Sequence, residues 1–435
     1  MLTFLGFAMV IAFMYLIMSK RLTALIALIL VPIIFALFGG FASQIGPMML
    51  AGITKLAPTG VMLMFAILYF ALMIDSGLFD PAVRKILKMV KGDPMRISVG
   101  TAVLALVVSL DGDGATTYMI CVAAMLPLYS RVGMSPRIMA GVIILAGGVM
   151  NMTPWGGPTA RAASALHVDA SDIFVPMIPA MLAGVVAILA IAYFYGKRER
   201  ARLGELHLQG DDVDHSEISV SQFPDARRPK LIWFNGALTL ALMVALIMGL
   251  LPLPVLFMIA FSIAMIINYP NLQDQKDRVS AHAGSVLAVV GLIFAAGIFT
   301  GILSGTGMVD AMSKSLLAVI PEALGPYLAV ITALVSMPFT FFMSNDAFYY
   351  GVLPVLSEAA SHYGISPVEM ARASIVGQPV HLLSPLVPST YLLVALAGIE
   401  FGDHQRFTLK WAILVCMCIL VAALLMGIFP FYSSM

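Results

Sequence analysis

The chain has 435 residues, of which 61% are hydrophobic and 11% charged, with a formal net charge of +1 and a mean hydropathy of +0.99. Globular domains are about half apolar and about a quarter charged, so this balance places the chain in lipid and excludes an ordinary soluble enzyme. Near-neutral charge also excludes a general nucleic-acid binder, which carries a basic surface.

Apolar length and charged flanks predict spanning helices near residues 2–18, 22–39, 58–75, 173–196, 231–250, 252–268, 283–304 and 409–430. No positive segment precedes the first and no small-residue cleavage site follows it, so it reads as a retained helix. Lys20 and Arg21 at its end put the N-terminus outside. Four further apolar stretches are interrupted. Residues 95–130 are broken by Asp111-Gly112-Asp113-Gly114 and 324–360 by Ser344-Asn345-Asp346, while 138–166 and 370–398 are broken by Pro, Gly, Ser and Thr. In lipid such breaks survive only where the backbone is buried in protein or lines a cavity. Cys121, Cys416 and Cys418 lie in apolar stretches without metal or redox spacing and read as lipid-facing or packing residues, and the dispersed methionines read as lipid-facing and packing residues.

The extensive polar segment, residues 196–230, carries Lys197, Arg198, Arg200, Arg202, Arg227, Arg228 and Lys230. The positive-inside rule makes it a cytoplasmic linker and leaves both termini outside, with Lys55 and Lys314 as exceptions on the outer side. The two sides of this linker match in order at an offset of about 230 residues, from Ser76 to Thr306, as transporter repeats do. Ser76-Gly77-Leu78-Phe79-Asp80 pairs with Thr306-Gly307-Met308-Val309-Asp310. Gly133-Met134-Ser135-Pro136 pairs with Gly364-Ile365-Ser366-Pro367, and Thr153-Pro154 with Thr159 pairs with Ser384-Pro385 with Thr390.

Counting helices gives the two repeats opposite orientation. The expected fold is an all-α integral membrane inverted-repeat transporter, with about ten crossings, two of them broken helices, and two re-entrant hairpins. The division is N-terminal helices over 1–57, a first repeat over 58–196, the linker over 197–230, and a second repeat with its leading and C-terminal helices over 231–435.

The hairpin tips carry the chemistry. An intramembrane carboxylate is costly and by default functional, which singles out Asp111, Asp113 and Asp346 for proton or cation coupling. The plainer alternative at the first tip is an exposed Asp-Gly turn. A calcium loop fails there, because Ala115 and Thr116 occupy the third ligand and glycine positions. Hydroxyls, an amide and exposed backbone at Thr116, Thr117, Ser344, Asn345, Thr153, Pro154, Gly156, Gly157, Thr159, Ser384, Pro385, Ser389 and Thr390 form the expected substrate walls, with half-helix N-termini facing an anion. Arg161 clamps a substrate carboxylate, pairs with a neighbouring Asp, or snorkels to the interface. His381 is a proton carrier or a packing residue with a satisfied ring.

These residues, together with Met14-Tyr15-Leu16-Ile17-Met18 and the run from Ala57-Pro58-Thr59-Gly60 to Leu68-Tyr69-Phe70, make nearly the whole chain resemble the citrate–metal:proton symporter family. The resemblance implies proton-coupled uptake, across a bacterial cytoplasmic membrane, of citrate complexed with a divalent cation of the magnesium or calcium class. It implies no resident cofactor, and a possible homodimer. Relatives on this fold carry Ser-Asn-Thr at both tips, whereas this chain has Asp346 after Ser344-Asn345 and Asp111-Gly112-Asp113 at the other, which favours protons over sodium or direct contact with the cargo's metal. A proton- or sodium-coupled carrier of another organic anion, or a cation/proton antiporter, fits the same scaffold. No zinc-protease or Gly-x-Ser-x-Gly motif supports an intramembrane hydrolase.

Overall fold

The computed structural model describes residues 1–90, 92–112, 114–204, 223–318 and 321–433, with only the backbone given for Met18, Asp111 and Pro224. Every regular element among them is helical. Before the linker come α1 (Leu2–Met18), α2 (Ala24–Phe38), α3 (Ile45–Asp75), α4 (Asp80–Val90), α5 (Pro94–Val108), α6 (Gly114–Val132), α7 (Pro136–Met150), α8 (Gly157–Leu166) and α9 (Ala170–Leu203). After it come α10 (Ile232–Ile247), α11 (Leu253–Asn268), α12 (Leu272–Gly305), α13 (Met308–Leu317), α14 (Leu328–Phe342), α15 (Leu353–Ser361), α16 (Pro367–Ser374), α17 (Gln378–His381), α18 (Pro388–Ala397) and α19 (Phe401–Leu425).

The starts are written locally. Asp93, Asp169 and Asn271 accept from the N–H groups of Met95, Ser171 and Gln273 at the heads of α5, α9 and α12. Ser366 and Glu369 close a reciprocal capping box on α16.

Six helical stretches among the described residues are long and apolar enough to cross a membrane: Ile45–Asp75, Ala170–Leu203, Pro229–Ile247, Leu272–Gly305, Glu322–Phe342 and Phe401–Leu425. Two of the expected helices start more than ten residues earlier than their apolar runs suggest. The helix expected from residue 58 starts at Ile45 and runs through Lys55 and Pro58, so Lys55 is helical. The charged stretch 274–278, expected as a loop, is the first turns of α12. Charge and proline are loop signals in short elements, but a helix of 31 or 34 residues extends well past about 30 Å of hydrocarbon and keeps its charges beyond it. An interior proline is tolerated where neighbouring helices pack around it.

The long helices α3 and α12, which correspond across the linker, cross in backbone contact. A Cβ on Gly52 would fall 1.9 Å from the Gly297 carbonyl oxygen, and one on Gly301 would fall 2.5 Å from that of Met48. Only glycine permits this approach, the small-residue solution for packing helices without water.

Polar contacts sort the helix ends onto two faces. On the linker face, Arg200 pairs with Asp93 ahead of α5, Arg202 donates to the Gly133 carbonyl between α6 and α7, and Arg137 pairs with Asp403 on α19. There Asp75, at the end of α3, takes Arg278 and His282 of α12, and Asp80 takes Arg227. On the opposite face, Arg372 of α16 donates to the carbonyls of Asp172 and Ile428, and the Ser433 N–H donates to the Pro326 carbonyl just ahead of α14. The helix pair α5/α6 thus starts and ends at the linker face, and the pair α14/α15 starts from the other.

Candidate functional site

Four chain interruptions converge on one cavity of about 220 Å³. The turn between α5 and α6 contributes Ser109, Gly112, Gly114 and Thr117; the break between α7 and α8 contributes Asn151, Gly157 and Arg161; the turn after α14 contributes Asn345; and the break between α17 and α18 contributes His381 and Ser389.

Each interruption is shaped by its own residues. Gly112 takes φ +77°, the left-handed region, at the end of a 3-10 turn over Ser109–Asp111. The Trp155 indole N–H donates to the Leu110 carbonyl at 2.9 Å, pinning this turn to the break after α7. Trp155 in turn packs on Phe70 and Phe257, with ring centroids 4.9 and 5.4 Å away. The two breaks are closed in the same way. Thr159 donates to the Met152 carbonyl at 2.9 Å, and Thr390 donates to that of Leu382, so a hydroxyl from each second half-helix satisfies a carbonyl freed in the first. After α14 the Ser344 hydroxyl accepts from the Ala347 N–H at 3.2 Å and starts a π turn over Ala347–Val352.

The electrostatics favour an anion. The first turns of α6, α8 and α18 line the cavity through Gly114, Gly157 and Ser389, and helix N-termini present free N–H groups and partial positive charge. Arg161 adds a full charge. Its Nε donates to Asp346 Oδ1 at 2.6 Å and its Nη1 to the Gly157 carbonyl at 3.1 Å, with the two charged side chains 23% and 16% exposed. Of the three roles open to Arg161, the structure shows the pair with an Asp, and that pair joins α8 to the turn after α14.

The expected site residues divide by what they touch. Among the described residues, the buried Thr117 and Thr153 hydroxyls find no partner, and the Asn345 side-chain oxygen is likewise unmatched. Thr159, Thr390, Ser344 and Ser384 instead serve the backbone, the last donating to the Phe341 carbonyl at 2.7 Å. The Pro385 carbonyl accepts from Tyr391 at 3.0 Å. Pro154 and Gly156 form the turn of the first break, and Thr116 lies on the first turn of α6. His381 donates from Nδ1 to the Thr340 carbonyl at 2.7 Å, so its ring is anchored while it lines the cavity. Asp113 lies outside the described residues, as does the side chain of Asp111. Among the described residues no three His, Cys, Asp or Glu side chains come together as a metal-binding set.

Residue-type reasoning missed an amide chain. Asn151 donates to Gln378 at 3.2 Å, Gln378 donates to the Tyr349 hydroxyl at 3.0 Å, and Tyr349 donates to the Ser374 carbonyl at 3.3 Å. Its signal was present as two side-chain amides inside the interrupted segments.

Comparison with known proteins fits this arrangement. A family model described as "Citrate transporter" matches residues 7–377. A Bacillus subtilis protein named citrate transporter is 62% identical over 99% of this chain and 100% of its own length. A second from the same organism, named Mg(2+)/citrate complex secondary transporter, is 56% identical over 98% and 99%. Among solved structures, the Alcanivorax borkumensis YdaH transporter superposes with a TM-score of 0.56 at 16% identity, covering 89% of this chain and 88% of that one. The Neisseria gonorrhoeae MtrF structure gives 0.59 at 15%, covering 89% and 84%. The chain belongs to the citrate transporter family, as a multi-pass membrane transporter and not an enzyme.

Proposed function

We propose that this protein takes up citrate complexed with a divalent cation, in symport with protons, by alternating access across the bacterial cytoplasmic membrane. The observation that carries this reading is the cavity at which all four interruptions meet, lined by three half-helix N-termini and by Arg161, whose guanidinium is paired with Asp346. The cargo comes from the relative at 56% identity, whose name specifies a magnesium–citrate complex. The divalent ion enters the reading as part of the cargo, arriving bound to citrate.

In this reading α5/α6 and α14/α15 are re-entrant hairpins of two inverted repeats, entering from opposite faces. The contacts that sort the helix ends onto two faces support this. With the linker cytoplasmic, both termini are outside, and the chain makes about ten crossings. The glycine-locked α3–α12 crossing belongs to the static frame, and a homodimer built on that frame is compatible with it. Asp111, Asp113 and Asp346 serve coupling, since carboxylates near the midplane titrate where hydroxyls cannot.

The test is uptake of radiolabelled citrate into proteoliposomes with and without magnesium, calcium or nickel, under an imposed proton or sodium gradient. Metal-dependent uptake driven by an inward proton gradient is expected. Uptake no greater than in protein-free vesicles removes the citrate assignment, and uptake driven only by sodium removes the proton assignment.

A further inference from the structure

The Arg161–Asp346 pair is an unusual thing to find at a binding cavity, because it consumes the one fixed charge best suited to hold a carboxylate. The two residues come from opposite halves of the chain, Arg161 on α8 and Asp346 beside the turn after α14, and they meet at 2.6 Å with little exposure. The cavity lined by Arg161 and Asn345 also holds polar atoms that have no partner among the described residues. Asn345, next to Asp346, has an unmatched side-chain oxygen, and the unmatched Thr117 hydroxyl is only 1% exposed on the cavity wall. Buried polar groups are ordinarily satisfied, so these atoms point to a ligand with its own charged and polar groups.

We propose that Arg161 and Asp346 neutralise each other until the cargo arrives and then exchange partners, the guanidinium passing to a citrate carboxylate and the Asp346 carboxylate to the metal. This rests on the metal–citrate reading and extends it to selectivity. Free citrate can take Arg161 but leaves Asp346 unpaired beside further carboxylates. A free divalent cation can take Asp346 but leaves Arg161 unpaired beside another positive charge. Removing one member of a buried pair leaves an uncompensated charge, so either ligand alone is penalised. Only the complex replaces both partners at once, and the internal pair thereby rejects its separate components. Because the pair joins the two halves of the chain, the exchange also unfastens α8 from the turn after α14 as the cargo docks.

The experiment is calorimetric titration of the purified full-length protein with citrate, with Mn²⁺, and with their equimolar mixture. The wild type is expected to bind the mixture at least about tenfold more tightly than either component, a difference of about 1.4 kcal/mol. In Asp346→Asn, free citrate should bind about tenfold more tightly than in the wild type, and the preference for the mixture should shrink to within about threefold. Arg161→Gln should show the mirror image, with citrate binding lost in both forms and Mn²⁺ alone bound more tightly. Should folded Asp346→Asn keep the wild-type preference, or folded Arg161→Gln gain nothing for Mn²⁺, the exchange is refuted. If neither variant yields monodisperse protein, the pair is a structural strut and the proposal equally fails. A wild type that binds no metal–citrate at all would instead defeat the functional reading beneath it.

Discussion

Asn151 donates its side-chain amide to Gln378 at 3.2 Å, joining the residue at the end of α7 directly to the first residue of α17. Gln378 is fully buried and passes the contact on to Tyr349 at 3.0 Å, so the two broken segments and the π turn are held in one polar chain. Gln378→Met keeps the volume but leaves the Asn151 amide without its acceptor and the Tyr349 oxygen without its donor. Leaving buried groups unsatisfied costs about 1–3 kcal/mol each, so a clear loss of thermal stability is expected, with citrate uptake reduced. Asn151→Ala added to Gln378→Met should cost less than the sum of the two. Strict additivity in that cycle would show that the pair is not coupled.

Thr117 and Thr159 separate a ligand-facing hydroxyl from a structural one. Thr159 and its counterpart Thr390 each satisfy a carbonyl across a break, whereas the buried Thr117 hydroxyl has no partner among the described residues. Replacement by valine removes only the hydroxyl. Thr159→Val and Thr390→Val should each lose about 0.5–1.5 kcal/mol of stability. Thr117→Val should hold or gain stability and instead raise the citrate concentration needed for half-maximal uptake. Unfolding temperatures and uptake curves for the three variants decide this, and a destabilised Thr117→Val with normal uptake would assign that hydroxyl to the fold.

The equivalence of Thr159 and Thr390 was legible beforehand. Matching Thr153-Pro154 with Ser384-Pro385 put the two threonines in register, and in the structure each donates to a carbonyl just past the preceding half-helix, seven residues back for Thr159 and eight for Thr390. That matching works because a broken helix needs the same backbone repair wherever it occurs. The Arg161–Asp346 pair was one of three open choices, since two charges 185 positions apart carry no local signal of contact. Helix limits were the least readable feature. Lys55 and Pro58 suggested a boundary that α3 runs through, and the residues ahead of them include Gly52, which packs against Gly297 on a helix more than 200 residues away, a contact with no local signal. Asn151 and Gln378 were visible as polar residues within the breaks, but their bond depends on how the two breaks face each other.

His167 is expected to contribute to acid sensitivity independently of coupling. It sits in the loop between α8 and α9 at φ +57°, with its Nδ1 unmatched among the described residues. Burial, with Lys55 nearby, lowers its pKa from the ordinary 6.5 to about 4. A histidine depressed in the fold takes up its proton more readily when unfolded, so its contribution is intact above about pH 6.5 and lost as pH falls toward 4. His167→Asn keeps a residue that tolerates left-handed backbone and removes the titration. Between pH 7.5 and 5 the wild type should lose more thermal stability than this variant, while the proton dependence of uptake at permissive temperature stays the same. Parallel stability curves would show that His167 does not set the acid limit.

Asp75 is a buried ionic anchor at the linker face. It is 2% exposed, ends α3, and receives Arg278 Nη1 at 3.0 Å and His282 Nε2 at 2.8 Å from α12, while Arg278 also lies over the Phe223 ring at 4.5 Å. Asp274, by contrast, meets Arg228 at 3.7 Å with its side chain 45% exposed. Asp75→Asn leaves a half-buried guanidinium without its counter-charge, and breaking a buried pair costs about 3–5 kcal/mol. The retained ring contact places the expected loss near the lower end of that range. Asp274→Asn removes an exposed pair worth about 0–1 kcal/mol. Fluorescence-detected size exclusion after heating should therefore show Asp75→Asn unfolding several degrees below the wild type and Asp274→Asn unshifted. Because Asp75 joins the two helices whose glycines interlock, its loss should also loosen the frame against which the hairpins move, lowering the uptake rate at temperatures where the variant is still folded. Equal unfolding temperatures for the two variants would place the strength of this face elsewhere, in the Asp80–Arg227 pair or in the Asn235–Asn268 amides that bond reciprocally beneath it.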